Sequence, residues 1–176
     1  MKSSVIGVIT AHVVWVVAGR AQLAFDSLSY LLSKVNQTNK VEVELGTMAM
    51  ERGSSLEVRR FGELLLRDHQ AADEKILAEA RRKNISILDV SMLSPDEIEN
   101  MQAERADIEK MKTLSGVEFD TAFLQLMQEG HKAPTAWLRP KLDTIDDADI
   151  RELLLKIYPI LEQHHALAGN LLAQRG

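Results

Sequence analysis

The chain has 176 residues, of which 45% are hydrophobic, 27% charged and 5% aromatic, with no cysteine and a formal net charge of −5. That length suits one domain, or one domain and a leader, with a core of its own. The missing cysteines exclude disulfides, thiolate metal sites, thiol catalysis and a lipidated amino-terminal cysteine. An acidic balance without a dense Lys/Arg patch argues against nucleic acid as a main partner.

Met1 and Lys2 precede Val5 to Ala18, a mostly apolar run followed by small residues at Gly19 and Ala21. The run is too short to span a bilayer, which needs about 20 residues. A positive start, a short apolar centre and small residues after it describe a secretory signal peptide over residues 1–21. Export to the periplasm is therefore expected, with cleavage near Ala18 or Ala21 and no stable membrane insertion afterwards. Removing the leader takes away Lys2 and Arg20 and leaves a more acidic domain over residues 22–176.

From Ser27 to Arg52 the apolar positions Leu31, Val35, Val41, Leu45 and Met48 keep a helical period, interrupted by the polar run Asn36 to Asn39. Gly53 is the expected terminator. Ser54 with Glu57 reads as a capping box opening a second helix to about Lys83. That helix carries Phe61, Leu65, His69, Ala72, Ile76 and Leu77 on one face. Asn84 to Leu93 reads as a loop. Ser94-Pro95-Asp96-Glu97 is a strong helix start, opening a charged, weakly amphipathic helix to about Met111 that belongs on the surface.

Ser115 and Glu118 form another capping box, ahead of a helix with Phe119, Phe123, Leu124, Met127, His131 and Leu138, in which Pro134 predicts a kink. Asp143 to Asp149 is a polar turn. The last helix, about Ala148 to Leu172, carries Leu153, Ile157, Ile160, Leu161, His164, Leu167 and Leu171. Met48, Met111 and Met127 read as core filler. No strand pattern or repeat is present, so an all-α fold follows. Its default form is an antiparallel four-helix bundle with one extra short helix between the second and third bundle helices.

Three of the four long helices place a histidine in the middle of an apolar stripe, His69, His131 and His164, and the first supplies Glu44 on the flank of its own. A buried imidazole needs a hydrogen-bond partner or a ligand. Three imidazoles and a carboxylate converging on one point make an N₃O donor set, suited to zinc, copper, iron, nickel or manganese. The same residues also fit a hydrogen-bonded polar cluster with no ion. His165 lies about 100° round the helix from His164. Glu162 and His165 form a Glu-x-x-His pair, but Leu66 stands three before His69, so the second pair of the di-iron carboxylate proteins is missing. Asp68 projects to a neighbouring face and reads as a solvated charge. Asp146 to Asp149 resembles a helix cap, not a calcium loop. No phosphate-binding glycine loop, G-x-S-x-G or H-E-x-x-H is present.

The chain resembles a bacterial family called domain of unknown function 4142. The matching pieces are Val43-Glu44-Leu45-Gly46, Phe61 with Asp68-His69, Leu114 to Asp120 leading to His131, and Pro159 to His164. The resemblance spans roughly Ser27 to Leu172. It implies an exported, ferritin-like up-and-down four-helix bundle and brings no established activity. The family's characteristic Glu and His positions correspond to Glu44, His69, His131 and His164. Three readings stay open: a non-catalytic metal-binding or envelope stress protein, a metal-dependent oxidoreductase or hydrolase, and an interaction module with purely structural histidines.

Overall fold

The computed structural model describes residues 28–88 and 95–175; the expected signal peptide and the Ser94 cap lie outside them. Among the described residues the fold is all-helical, with α1 Leu28–Arg52, α2 Leu56–Arg82, α3 Pro95–Met111, α4 Gly116–Leu142 and α5 Ala148–Ala173. The closest pairs are α1 with α2 and α4 with α5; α2 also meets α5, α1 meets α4, and α3 meets α4.

Several helix ends follow from short-range chemistry. Ser55, one residue later than expected, caps α2 by accepting from Val58 N at 3.3 Å. Ser54 and Ser55 instead give their backbone N–H groups to the buried carboxylate of Asp120 at 2.8 and 3.0 Å. Arg175 reaches the same carboxylate at 2.9 Å, so one side chain of α4 ties the start of α2 to the end of the chain. Burial alone would raise the Asp120 carboxyl; the hydrogen bonds from Ser54 and Ser55 outweigh it and hold it below its ordinary value. Ser115 precedes α4 but makes no side-chain cap bond. Asp147 caps α5 as expected, accepting from Asp149 N and Ile150 N. Gly53 ends α1 without a left-handed φ; a Cβ there would lie 2.6 Å from Ala49 O.

Helix α4 is continuous from Gly116 to Leu142, Pro134 included, and α1 is one helix through the polar run Asn36 to Asn39 that interrupts its apolar period. Far from facing solvent, Asn36 and Asn39 are each only 2% exposed.

The apolar interior falls into two clusters. One gathers Leu45, Met48, Phe61, Leu65, Phe119, Phe123, Met127 and Ala168; the other gathers Leu31, Leu32, Ala72, Ile76, Leu138, Leu142, Leu154 and Leu161. Helices α2 and α4 pass from the first cluster to the second as the chain advances, and α1 and α5 pass the other way. The directions do not simply alternate, because the segment containing α3 carries the chain back before α4 starts. Every long helix therefore crosses from one apolar end to the other, and each does so through a polar residue.

Candidate metal centre

Those crossing points form one polar layer. Helix α1 contributes Asn36, Asn39 and Glu42, α2 contributes His69, α4 His131 and α5 His164, all buried. Each histidine sits there because its helical register continues the apolar stripe on both sides. His69 follows Leu65 by four and precedes Ala72 by three, His131 follows Met127 by four, and His164 lies between Leu161 and Ala168.

The three rings are 1–2% exposed, and their centroids are 5.7 Å apart for His69 and His131, 5.3 Å for His69 and His164, and 5.2 Å for His131 and His164. One ring nitrogen from each lies within 4.8 Å of the other two. In a tetrahedral site with bonds of about 2.0–2.1 Å, ligand nitrogens stand roughly 3.3 Å apart. Closing the rings onto one ion would bring them together by at most about 1.5 Å.

Each ring is held from outside by an oxygen. Nδ1 of His69 meets Asn39 Oδ1 at 2.9 Å, Nδ1 of His131 meets the Met127 carbonyl at 2.9 Å, and Nε2 of His164 meets Asp68 Oδ2 at 3.1 Å. These partners are acceptors, so each of those nitrogens carries the hydrogen and donates it. The lone pairs then fall on Nε2 of His69, Nε2 of His131 and Nδ1 of His164. Those three atoms are buried and without a hydrogen-bond partner among the described residues. The three ring N–H groups all point to outer acceptors and leave the inward nitrogens free to ligate; Asn39 Nδ2 in the same layer is likewise buried without a partner among the described residues. The arrangement is that of metal-ligating imidazoles, whose other ring nitrogen is oriented by a carbonyl, amide or carboxylate.

The electrostatics keep the rings in their ligating form. Burial holds His131 and His164 down to about 4. Burial, followed by the neighbouring His131 and His164, pushes His69 well below its ordinary range. All three are therefore neutral near pH 7, as coordination requires.

The carboxylates are arranged differently from expectation. Glu44 lies outside the layer, exposed enough to pair with Arg105 of α3 and with Lys112, the latter at 3.3 Å. Glu42, two residues earlier, is 4% exposed, with Oε1 3.9 Å from Nδ1 of His131. Burial pushes its carboxyl up to about 8. Asp68 is not simply solvated: beside its bond to His164 its other oxygen holds Arg67 at 2.9 Å. His165 donates from Nδ1 to the Gln128 carbonyl at 2.7 Å and takes no part in the cluster, and Glu162 is exposed. Asn39, Glu42 and Asp68 were not singled out by apolar periodicity. The usable signal was that Asn36, Asn39 and Glu42 recur every third residue in register with Leu32, Leu45 and Ala49.

No curated protein and no solved structure matches the chain. A family model described as domain of unknown function (DUF4142) matches residues 17–171, nearly the whole sequence, and the chain belongs to that family.

Proposed function

We propose that this protein is an exported, periplasmic metal-handling or envelope stress protein in which His69, His131 and His164 hold one transition-metal ion. Zinc, copper, iron, nickel and manganese all suit imidazole donors. The observation that carries the reading is the set of three buried inward nitrogens without a partner among the described residues, each on a ring whose outer nitrogen is already bonded. The helix directions and the polar layer support a ferritin-like four-helix bundle of α1, α2, α4 and α5, with α3 on the long crossover. A binding and storage role is favoured over catalysis because rings that are 1–2% exposed leave a substrate of any size no approach. A metal-dependent oxidoreductase or hydrolase is the second reading: three protein ligands leave a fourth position for water or a small molecule.

The test is thermal unfolding of the protein with chelator and with added metal. An ion that binds the folded chain at about 100 times its Kd adds about 2.7 kcal/mol. In a chain of this length that raises Tm by roughly 5–11 °C. EDTA should lower Tm, zinc or copper should restore it, and His131→Ala should abolish the response. A melting curve unmoved by chelator and by either metal would leave the histidines purely structural. Export is tested separately, by the intact mass of protein recovered from its host; full-length chain in the cytosol would refute it.

A further inference from the structure

The three histidines come from three sides of the bundle. Helix α1 packs between α2 and α4 and forms the remaining side. Its buried polar residues in the same layer are Asn36, Asn39 and Glu42. Two of these are committed: the Asn36 amide donates to Asp73 Oδ1, and Asn39 Oδ1 takes the Nδ1 hydrogen of His69. Glu42 is free. It is 4% exposed, and its Oε2 is buried without a hydrogen-bond partner among the described residues. Its Oε1 stands 3.9 Å from Nδ1 of His131, beyond hydrogen-bonding distance, and that nitrogen gives its hydrogen to the Met127 carbonyl instead. Asn39 Nδ2, one turn earlier on α1, is also without a partner. A hydrogen bond from it would use only one of the carboxylate's lone pairs and leave the others for a cation.

The charge of an ion points to the same residue. Three neutral imidazoles leave both charges of a divalent ion uncompensated, and a charge in the core needs a counter-charge beside it. Asp68 is already spent, one oxygen on Arg67 and one on His164. Glu42 offers an unengaged oxygen from the side that supplies no histidine.

We propose that Glu42 is the fourth ligand of the histidine centre, closing it as three imidazoles and one carboxylate that select a divalent ion over Cu⁺. This rests on the reading that the three histidines bind an ion. A glutamate has three side-chain torsions, so the carboxylate turns from the Nδ1 edge of His131 to the inward nitrogens while α1 stays in place. The carboxyl gives its proton to solvent as the ion binds. An anionic oxygen adds most to a divalent ion such as Zn²⁺ or Co²⁺ and least to soft, singly charged Cu⁺, which prefers sulfur. Four protein ligands also fill a tetrahedral site, which sets storage ahead of catalysis.

The experiment titrates metal-free wild type and Glu42→Gln with Zn²⁺ and with Cu⁺ against competing chelators, and with Co²⁺ while its visible d–d band is followed. Glutamine keeps the size of the side chain and removes the charge, and circular dichroism checks that the fold is retained. Glu42→Gln should weaken Zn²⁺ binding by about 100-fold, the upper end of what even an outer partner of a ligand is worth. It should leave Cu⁺ binding nearly unchanged and shift the Co²⁺ band, because the ligand set has changed. An unaltered Zn²⁺ affinity would overturn the proposal. So would weaker Zn²⁺ binding with the Co²⁺ band in place, which would make Glu42 a distant counter-charge. Equal losses of Zn²⁺ and Cu⁺ would also overturn it, since the imidazoles themselves would then have been displaced. In all of those cases the wild type still binds metal and the histidine centre stands. No binding of Zn²⁺, Co²⁺ or Cu⁺ by the wild type would remove the centre and its fourth ligand together.

Discussion

Asp68 accepts a hydrogen bond from Nε2 of His164 at 3.1 Å while its second oxygen is held by Arg67 at 2.9 Å. A carboxylate in that place fixes the tautomer of the imidazole, aims Nδ1 inward and makes it more basic. Partners of this kind are commonly worth 10–100-fold in metal affinity. Asp68→Ala should therefore weaken zinc binding by about that factor in a competition titration, with the fold retained. An unchanged affinity would show that His164 needs no such support.

The metal-free protein should lose stability on both sides of neutrality, for opposite reasons. Above pH 6.5 the three histidines are neutral whether the chain is folded or not. As the pH falls from 6.5 towards about 4, the unfolded chain takes up protons that buried His69, His131 and His164 refuse, so stability falls. Glu42 has the reverse sign. Its carboxyl is raised from 4.5 to about 8, so between those values the folded chain keeps a proton the unfolded chain loses, and stability falls as the pH rises. Glu42→Gln stays neutral throughout. At about 1.36 kcal/mol per unit it should gain on the order of a few kcal/mol over the wild type at pH 8, and little at pH 4. Urea unfolding in EDTA at the two pH values measures the difference; an equal change at both would mean Glu42 is not buried as its proton-holding form.

These two cases show what the sequence reveals and what it hides. His69, His131 and His164 are legible because each interrupts a strong apolar stripe at helical spacing, and such a stripe can face only the core. Helix α1 is different: its inward face includes Asn36, Asn39 and Glu42. Apolar periodicity is blind to a polar residue that points inward, so the Asn36 to Asn39 run looks like an interruption and Glu44 looks nearer the core than Glu42. The two glutamates lie about 200° apart round the helix. The choice between them is made by the neighbours, α3 supplying Arg105 to one and α4 supplying His131 to the other. Asp68 was hidden for the same reason, since its partner is 96 residues away in the chain.

The close pairing of α1 with α2 rests on two glycines. A Cβ on Gly46 would lie 2.7 Å from Leu66 N and 2.8 Å from Gly62 O, and one on Gly62 would lie 2.6 Å from Gly46 O. These are backbone atoms, which cannot swing aside, so Gly46→Ala must push the helices apart. It should cost about 1–3 kcal/mol, the usual range for overpacking. Because α1 supplies Asn39 and α2 supplies His69, the same change should also lengthen the bond between them. Gly130 is the control: nothing lies within 4 Å of its Cβ position. Gly130→Ala should be neutral or gain up to about 1 kcal/mol by reducing the freedom of the unfolded chain. If the two substitutions behave alike in chemical denaturation, the close approach is not what holds the pair.

The position of Glu44 gives a direct contest between its two possible roles. As a ligand, it would be needed for the stabilisation by metal, and Glu44→Gln would abolish the rise in Tm as His131→Ala should. In the structure it instead anchors α3, through Arg105 and Lys112, with a side chain 35% exposed. Exposed pairs of that kind contribute typically 0.2–1 kcal/mol each. Glu44→Gln should therefore lower Tm slightly both with and without metal, and keep the full difference between the two. His165→Ala should keep it as well, since its ring is turned to the Gln128 carbonyl. The measurement is a set of paired melting curves, in EDTA and in excess zinc, for the wild type and the three variants. Loss of the zinc-dependent rise in Glu44→Gln would return that carboxylate to the metal centre.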